Sequence, residues 1–177
     1  MDPAVDITLR AAFGLLFLVA ASHKLRDVAR FRTTLDDYRL LPGAVVPLAA
    51  CMVIGIEIGV AIALVVPARP AGPLAAAAVL VAYGAVIAIN LARGRRHLDC
   101  GCAGPAVRRP ISGCLVARNL VLAATALLGL APVRTRPLVW MDALTVAAAT
   151  ATLAALYASL DGLVAHGPAL ARLRGET

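Results

Sequence analysis

Apolar residues occupy this chain in long unbroken blocks, not in the alternating or one-faced patterns of a soluble domain. Five blocks stand out, at residues 5–21, 45–66, 74–91, 111–130 and 138–164. A helix needs about 17 to 25 predominantly apolar residues to cross the hydrocarbon core, so each block is read as a transmembrane helix. The first is at the short end of that range and resembles the apolar part of a signal peptide. No basic segment precedes it, however, and Ser22-His23-Lys24-Leu25 is not a small-residue cleavage site, so it is read as a permanent span.

Residues 24–41 differ in kind. Leu25, Val28, Phe31, Leu35 and Tyr38 recur every three or four positions, while Arg26, Arg30, Arg32, Asp36 and Asp37 hold the opposite face. This rhythm predicts an amphipathic helix lying in the membrane interface, stopped by Leu40-Leu41-Pro42-Gly43. The Pro-rich turns at 67–73 and 132–137 leave almost no room for a soluble domain. The predicted fold is therefore all-α: a polytopic transmembrane bundle with a four-helix core, an interfacial helix between its first and second spans, and a fifth C-terminal span. Residues 1–130 form the membrane domain, and 131–177 add one helix and a short basic tail without globular content.

Composition agrees with this reading, since 61% of residues are hydrophobic and only 15% charged. The net charge of +7 comes from 17 Lys and Arg against 10 Asp and Glu. These basic residues are spread over several loops, whereas nucleic acid calls for one continuous basic face, so nucleic-acid binding is excluded and the lipid bilayer is the expected partner. The first loop, the 92–110 loop and the tail share one side and hold about twelve Lys and Arg, against about four on the other, which by the positive-inside rule makes that side cytoplasmic. Disulfide chemistry belongs on the opposite, oxidising face. The two arguments conflict, and the expectation leans to the extracytoplasmic side on functional grounds.

The chemistry in question lies between the third and fourth spans, in His97-Leu98-Asp99-Cys100-Gly101-Cys102-Ala103-Gly104-Pro105. Cys100 and Cys102 can join only in a tight turn, because a disulfide brings its Cα atoms to about 4.4–6.8 Å, and Gly101 supplies the backbone freedom for it. So small a ring is strained, and strained, exposed disulfides behave as labile or catalytic ones. Arginines flank the loop at 95, 96, 108 and 109, and cationic neighbours favour the reactive thiolate. Two other readings stand beside the redox pair: a soft-metal site completed by His97, and two inert thiols. Cys114, about one helical turn into the fourth span, is either a resolving thiol or, like Cys51, a small buried residue.

Within the spans, Glu57 is costly by about 2.5–3.5 kcal/mol near mid-membrane and calls for a partner inside the bundle. Arg10, Lys24 and Arg118 are the candidates, with Arg118 favoured. A neutral, protonated Glu57 making one interhelical hydrogen bond is the plainer alternative.

Lys24-Leu25-Arg26-Asp27, Phe31, Tyr38-Arg39-Leu40-Leu41-Pro42, Glu57-Ile58-Gly59, Cys100-Gly101-Cys102 and Arg118-Asn119, in this order over residues 5–130, resemble the methylamine utilisation protein MauE family, related to DoxX-like membrane proteins. The resemblance implies a plasma-membrane protein that works with a thioredoxin-like, MauD-like partner in maturing a disulfide-rich envelope protein such as the methylamine dehydrogenase small subunit. It makes Cys100 and Cys102 the redox pair, with Lys24, Glu57, Arg118 and Asn119 as supporting polar residues. Two departures stand out: Ala103 replaces an expected aromatic, and Cys114 replaces a bulky residue, which hints at a relay of Cys100, Cys102 and Cys114.

The expected activity is thiol–disulfide exchange, with electrons passing to a membrane quinone by analogy with disulfide-generating four-helix membrane enzymes. The rival is a metal-binding or transport accessory protein that uses the CxC cluster together with Glu57 and Arg118.

Overall fold

The computed structural model describes residues 1–66, 70–96, 98–99 and 110–173, the last ten for their backbone alone. Six α-helices are found among them: α1 (Pro3–Arg26), α2 (Val28–Asp37), α3 (Val46–Val65), α4 (Ala71–Ala92), α5 (Gly113–Leu127) and α6 (Trp140–Leu173). Five stretches are long and apolar enough to cross a membrane: α1, α3 with the 3₁₀ turn before it, α4, α5 with the 3₁₀ turn after it, and Trp140–Leu163 of α6. At 1.5 Å per residue the 20 residues of α3 extend about 30 Å, which matches the hydrocarbon thickness. No strand occurs among the described residues, and the all-α transmembrane class is confirmed.

Three boundaries differ from expectation. The first span does not stop at Ala21 but continues to Arg26, where His23, Lys24 and Arg26 complement the negative end of the helix dipole. The amphipathic stretch does not run unbroken from Lys24, because the Asp27 side chain accepts the Arg30 N–H at 3.0 Å and caps a separate helix, α2. That helix ends before Arg39, which takes the left-handed conformation with φ 47°. In the tail, helix continues to Leu173, beyond the expected end at 164 and through Gly167-Pro168, the pair that reads in sequence as a helix stop.

The chain forms two compact units. The larger, Leu9–Pro132, packs α3, α4 and α5 with most of α1. Its helices bury faces at helical spacing: Phe13, Phe17, Ala21 and Lys24 on α1, and Ala50, Ile54, Glu57, Ala61 and Leu64 on α3. One apolar cluster gathers Phe13, Phe17, Val60, Leu64, Leu80 and Ala123, and a second gathers Tyr38, Ile87, Leu98, Ile111 and Leu115. Gly72 lets α3 and α4 meet closely, since a Cβ there would lie 2.7 Å from the Ala63 carbonyl oxygen.

The smaller unit joins Met1–Thr8 to Val133–Thr177. Arg136 clasps two carboxylates: its Nε and Nη2 donate to Asp2 at 2.9 Å each, and its Nη1 and Nη2 to Asp142 at 2.8 and 2.7 Å. Asp142 also accepts the Val139 N–H at 2.8 Å at the start of α6. The Arg136 guanidinium, followed by the Ala4 N–H, holds the Asp2 carboxyl below its ordinary range, and the carboxylates of Asp142 and Asp2 push the guanidinium further up.

Candidate functional site

Cys100, Gly101, Cys102, Ala103 and His97 lie outside the described residues, as do Arg108 and Arg109. What is described is the base of the loop that carries them. Asp99 and Pro110 form an antiparallel bridge, and the Ile111 N–H donates to the Leu98 carbonyl at 2.9 Å. Residues 98–99 and 110–111, which bound the segment, therefore meet at one place. Leu98 and Ile111 are buried there against Ile87 of α4 and Leu115 of α5.

Helix α2 holds this base. Arg30 Nη2 donates to Asp99 Oδ2 at 3.1 Å, and the Tyr38 hydroxyl donates to the Asp99 carbonyl at 3.1 Å. Arg95 Nη1 reaches back to the carbonyls of Asp37 and Tyr38 at 3.2 and 3.3 Å, at the C-terminal end of α2 where carbonyls lack helical partners. The apolar side of α2 thus serves the loop as well as the interface: Tyr38, at its end, is buried in the cluster under the loop base. Arg30, placed by the sequence on a solvated face, is half-buried and committed to Asp99.

A second polar group lies between the two apolar clusters. Lys24 Nζ donates to Glu57 Oε1 at 2.5 Å, and the Tyr83 hydroxyl donates to the same oxygen at 2.7 Å. The lysine and glutamate side chains are 3% and 0% exposed, so the pair sits wholly inside the bundle. The ammonium also stands 5.3 Å from the Phe31 ring centroid and 5.5 Å from that of Tyr83, within cation–π range of both. Glu57 Oε2 is buried with no hydrogen-bond partner, and so is Asn90 Oδ1, whose amide donates to the Val86 carbonyl at 3.1 Å.

The expected partnership of Glu57 with Arg118 is corrected to Lys24, because α1 outlasts its apolar block and carries Lys24 onto the same buried face as Phe17. Arg118 is half-buried on α5, and neither hydrogen bond to Glu57 comes from it. Arg10, the other candidate, donates from Nη1 to the Leu64 carbonyl at 3.4 Å, near the end of α3. Asn119 is buried, and its amide back-bonds to the Leu115 carbonyl at 2.8 Å. The reading of Cys51 and Cys114 as small buried residues is also corrected: both are free thiols on exposed helix surface, since the core-facing positions of α3 and α5 belong to their neighbours Ala50 and Leu115.

Tyr83 and Asn90 were missed as site residues. Their signal was present, because a tyrosine and an asparagine two turns apart, at i and i+7 in an otherwise Ala- and Val-rich span, share one face with Ile87. Among the described residues no group of three or more His, Cys, Asp or Glu could hold a metal ion, and His97, Cys100 and Cys102 lie outside that search.

The family model for methylamine utilisation protein MauE matches residues 2–132. The chain is 41% identical over 128 residues to methylamine utilization protein MauE of Paracoccus denitrificans, covering 72% of this chain and 69% of that one. It is 35% identical over 170 residues to the protein of the same name in Methylophilus methylotrophus (92% and 87% covered), and 38% identical over 181 to that of Paracoccus versutus (99% and 97%). No solved structure matches the chain at a significant level. The family match covers α1 to α5, including the loop base and the buried Lys24–Glu57 pair, and on this ground the chain belongs to the methylamine utilisation protein MauE family.

Proposed function

We propose that this protein is an accessory factor of methylamine utilisation in the plasma membrane, acting as a thiol–disulfide oxidoreductase through Cys100 and Cys102. It serves maturation of a disulfide-rich envelope protein, such as the small subunit of methylamine dehydrogenase, together with a thioredoxin-like, MauD-like partner. The observation that carries this reading is the closed loop base. Asp99 and Pro110, which bound the sequence bearing Cys-Gly-Cys, are bridged to each other at a helix-end face of the bundle. A fixed attachment at a helix-end face suits a dithiol that must meet a visiting protein.

The chemistry balances within two thiols and one disulfide. A thiolate of the pair attacks a partner's disulfide, forming one mixed disulfide and releasing one partner thiolate. The second cysteine of the pair then attacks the mixed disulfide, so the partner leaves as a dithiol and Cys100–Cys102 is left oxidised. The reverse sequence passes the disulfide outward.

The test is trapping in cells. With Cys102→Ser the resolving thiol is gone, and a mixed disulfide between Cys100 and a thioredoxin-like protein should accumulate and disappear on reduction. If no such adduct forms with either Cys102→Ser or Cys100→Ser while the partner is expressed and methylamine is being used, the redox reading is wrong.

A further inference from the structure

Asp99 is joined by one peptide bond to Cys100, so a carboxylate stands next in sequence to the first thiol of the pair, with Cα atoms about 3.8 Å apart. A negative charge at this range disfavours a thiolate, and the thiolate is the reactive form of cysteine. The sequence thus places an adverse charge beside a dithiol. The fold brings a cation to it from a distant part of the chain: Arg30, the third residue of α2, donates from Nη2 to Asp99 Oδ2 at 3.1 Å.

Other contacts already hold the backbone here. The Asp99 carbonyl accepts the Tyr38 hydroxyl at 3.1 Å, Asp99 is bridged to Pro110, and the Leu98 carbonyl accepts the Ile111 N–H at 2.9 Å over a buried apolar cluster. Arg30 in turn is placed by α2, where Asp27 caps its N–H. What the side-chain contact adds to this frame is charge balance. The Arg30 and Asp99 side chains are 33% and 21% exposed, and a partly buried pair is screened less than one on open surface.

We propose that Arg30 is a positioning residue for the thiol chemistry: by holding the Asp99 carboxylate in an ion pair, it keeps the neighbouring Cys100 thiol readily ionised. The role rests on the thiol–disulfide reading, but the ionisation of Cys100 can be followed whether or not that thiol exchanges disulfides. Charge balance makes the two single removals differ in sign. Without the guanidinium the surroundings of Cys100 turn more negative and its thiolate is disfavoured; without the carboxylate they turn more positive and the thiolate is favoured. A contact that only held the loop base would be broken equally by either removal, and both would act in one direction.

The experiment uses the full chain, purified and reduced, with Cys51→Ser, Cys102→Ser and Cys114→Ser, so that Cys100 is the thiol that remains. Its alkylation by iodoacetamide, a neutral reagent, is timed across pH at constant ionic strength, with helical circular dichroism checked for each variant. Arg30→Gln is expected to raise the midpoint of the profile by about half to one pH unit, which slows alkylation near neutral pH about three- to tenfold. Asp99→Asn should lower the midpoint, and the two replacements together should return it close to its starting value. Arg30→Lys, which keeps the charge and loses the planar fork, should leave it near that value. The other charged groups at the base, Asp27, Asp37, Arg95 and Arg96, are common to all variants, as are His97, Arg108 and Arg109 outside the described residues, so differences belong to the pair. Midpoints moved in the same direction by Arg30→Gln and Asp99→Asn, or left unchanged by either, overturn the proposal. Opposite shifts in a protein that traps no partner in cells uphold the role of Arg30 and remove the exchange reading, whereas a trapped partner with unmoved midpoints does the reverse.

Discussion

Removing Lys24 while leaving Glu57 in place is the most severe single perturbation this structure defines. Lys24→Met keeps the length and apolar stem of the side chain but deletes the ammonium that lies 2.5 Å from Glu57 Oε1. Glu57, 0% exposed at the middle of a span, cannot turn to water, and Tyr83 alone then donates to it. Breaking a buried pair from one side costs about 3–5 kcal/mol, because the remaining charge is uncompensated. For a chain of this size each kcal/mol shifts the midpoint by about 2–4 °C, so the thermal transition of the detergent-solubilised protein should fall by about 6–20 °C. The double variant Lys24→Met/Glu57→Leu should recover most of that loss, since neutral replacement of both partners leaves no charge behind. Circular dichroism at 222 nm on heating, roughly the wavelength where helix dominates, reads both variants on one scale. A Lys24→Met midpoint within about 2 °C of wild type would refute the reasoning, as would a double variant as unstable as the single one.

Other outcomes follow from separate contacts. Gly72→Ala places a Cβ where the Ala63 carbonyl oxygen is 2.7 Å away, so it should destabilise by about 1–3 kcal/mol in the same melt, and an unchanged midpoint would show that the α3–α4 approach is not tight. Tyr38→Phe removes the hydrogen bond to the Asp99 carbonyl, at a net cost of about 0.5–1.5 kcal/mol, and should speed amide hydrogen exchange at Leu98 and Ile111 with little effect on α6. The Arg136 clasp should be acid-sensitive. Because the folded pKa of Asp2 lies below its ordinary value of 3.8, its contribution is fully present above that value and is lost as pH falls through the folded pKa. The protection of the Val139 amide, its exchange rate relative to an unstructured peptide at the same pH, should accordingly be high at neutral pH and fall in acid, and Arg136→Gln should lower it at neutral pH; unchanged protection in that variant would show that the clasp does not order this turn.

The five spans were legible because block hydrophobicity over 17 or more residues has few other solutions in a chain this apolar. Helix ends were less legible. Ser22-His23-Lys24-Leu25-Arg26 is too polar to belong to a block, yet it continues α1 because a lysine whose charge is matched inside the bundle is compatible with a buried face. That shortfall led directly to the wrong partner for Glu57: with α1 ended at Ala21, Lys24 had no fixed face, and of the basic residues inside spans, Arg10 and Arg118, the second was favoured. The Arg30–Asp99 contact was invisible for another reason. It joins residues 69 apart in sequence, and periodicity marks the face of Arg30 as polar without saying which carboxylate meets it. The exposed placement of Cys51 and Cys114 escaped composition too, since small residues suit a core and a lipid-facing surface equally well.

The redox state and sidedness of Cys100 and Cys102 in living cells bear on the account more directly than any other quantity. In a Cys51→Ser/Cys114→Ser background, cells using methylamine are treated with a membrane-impermeant maleimide before and after brief reduction. The account predicts no labelling before reduction and labelling of both remaining cysteines after it, without permeabilising the cells. Full labelling without reduction, or labelling only in permeabilised cells, would contradict it.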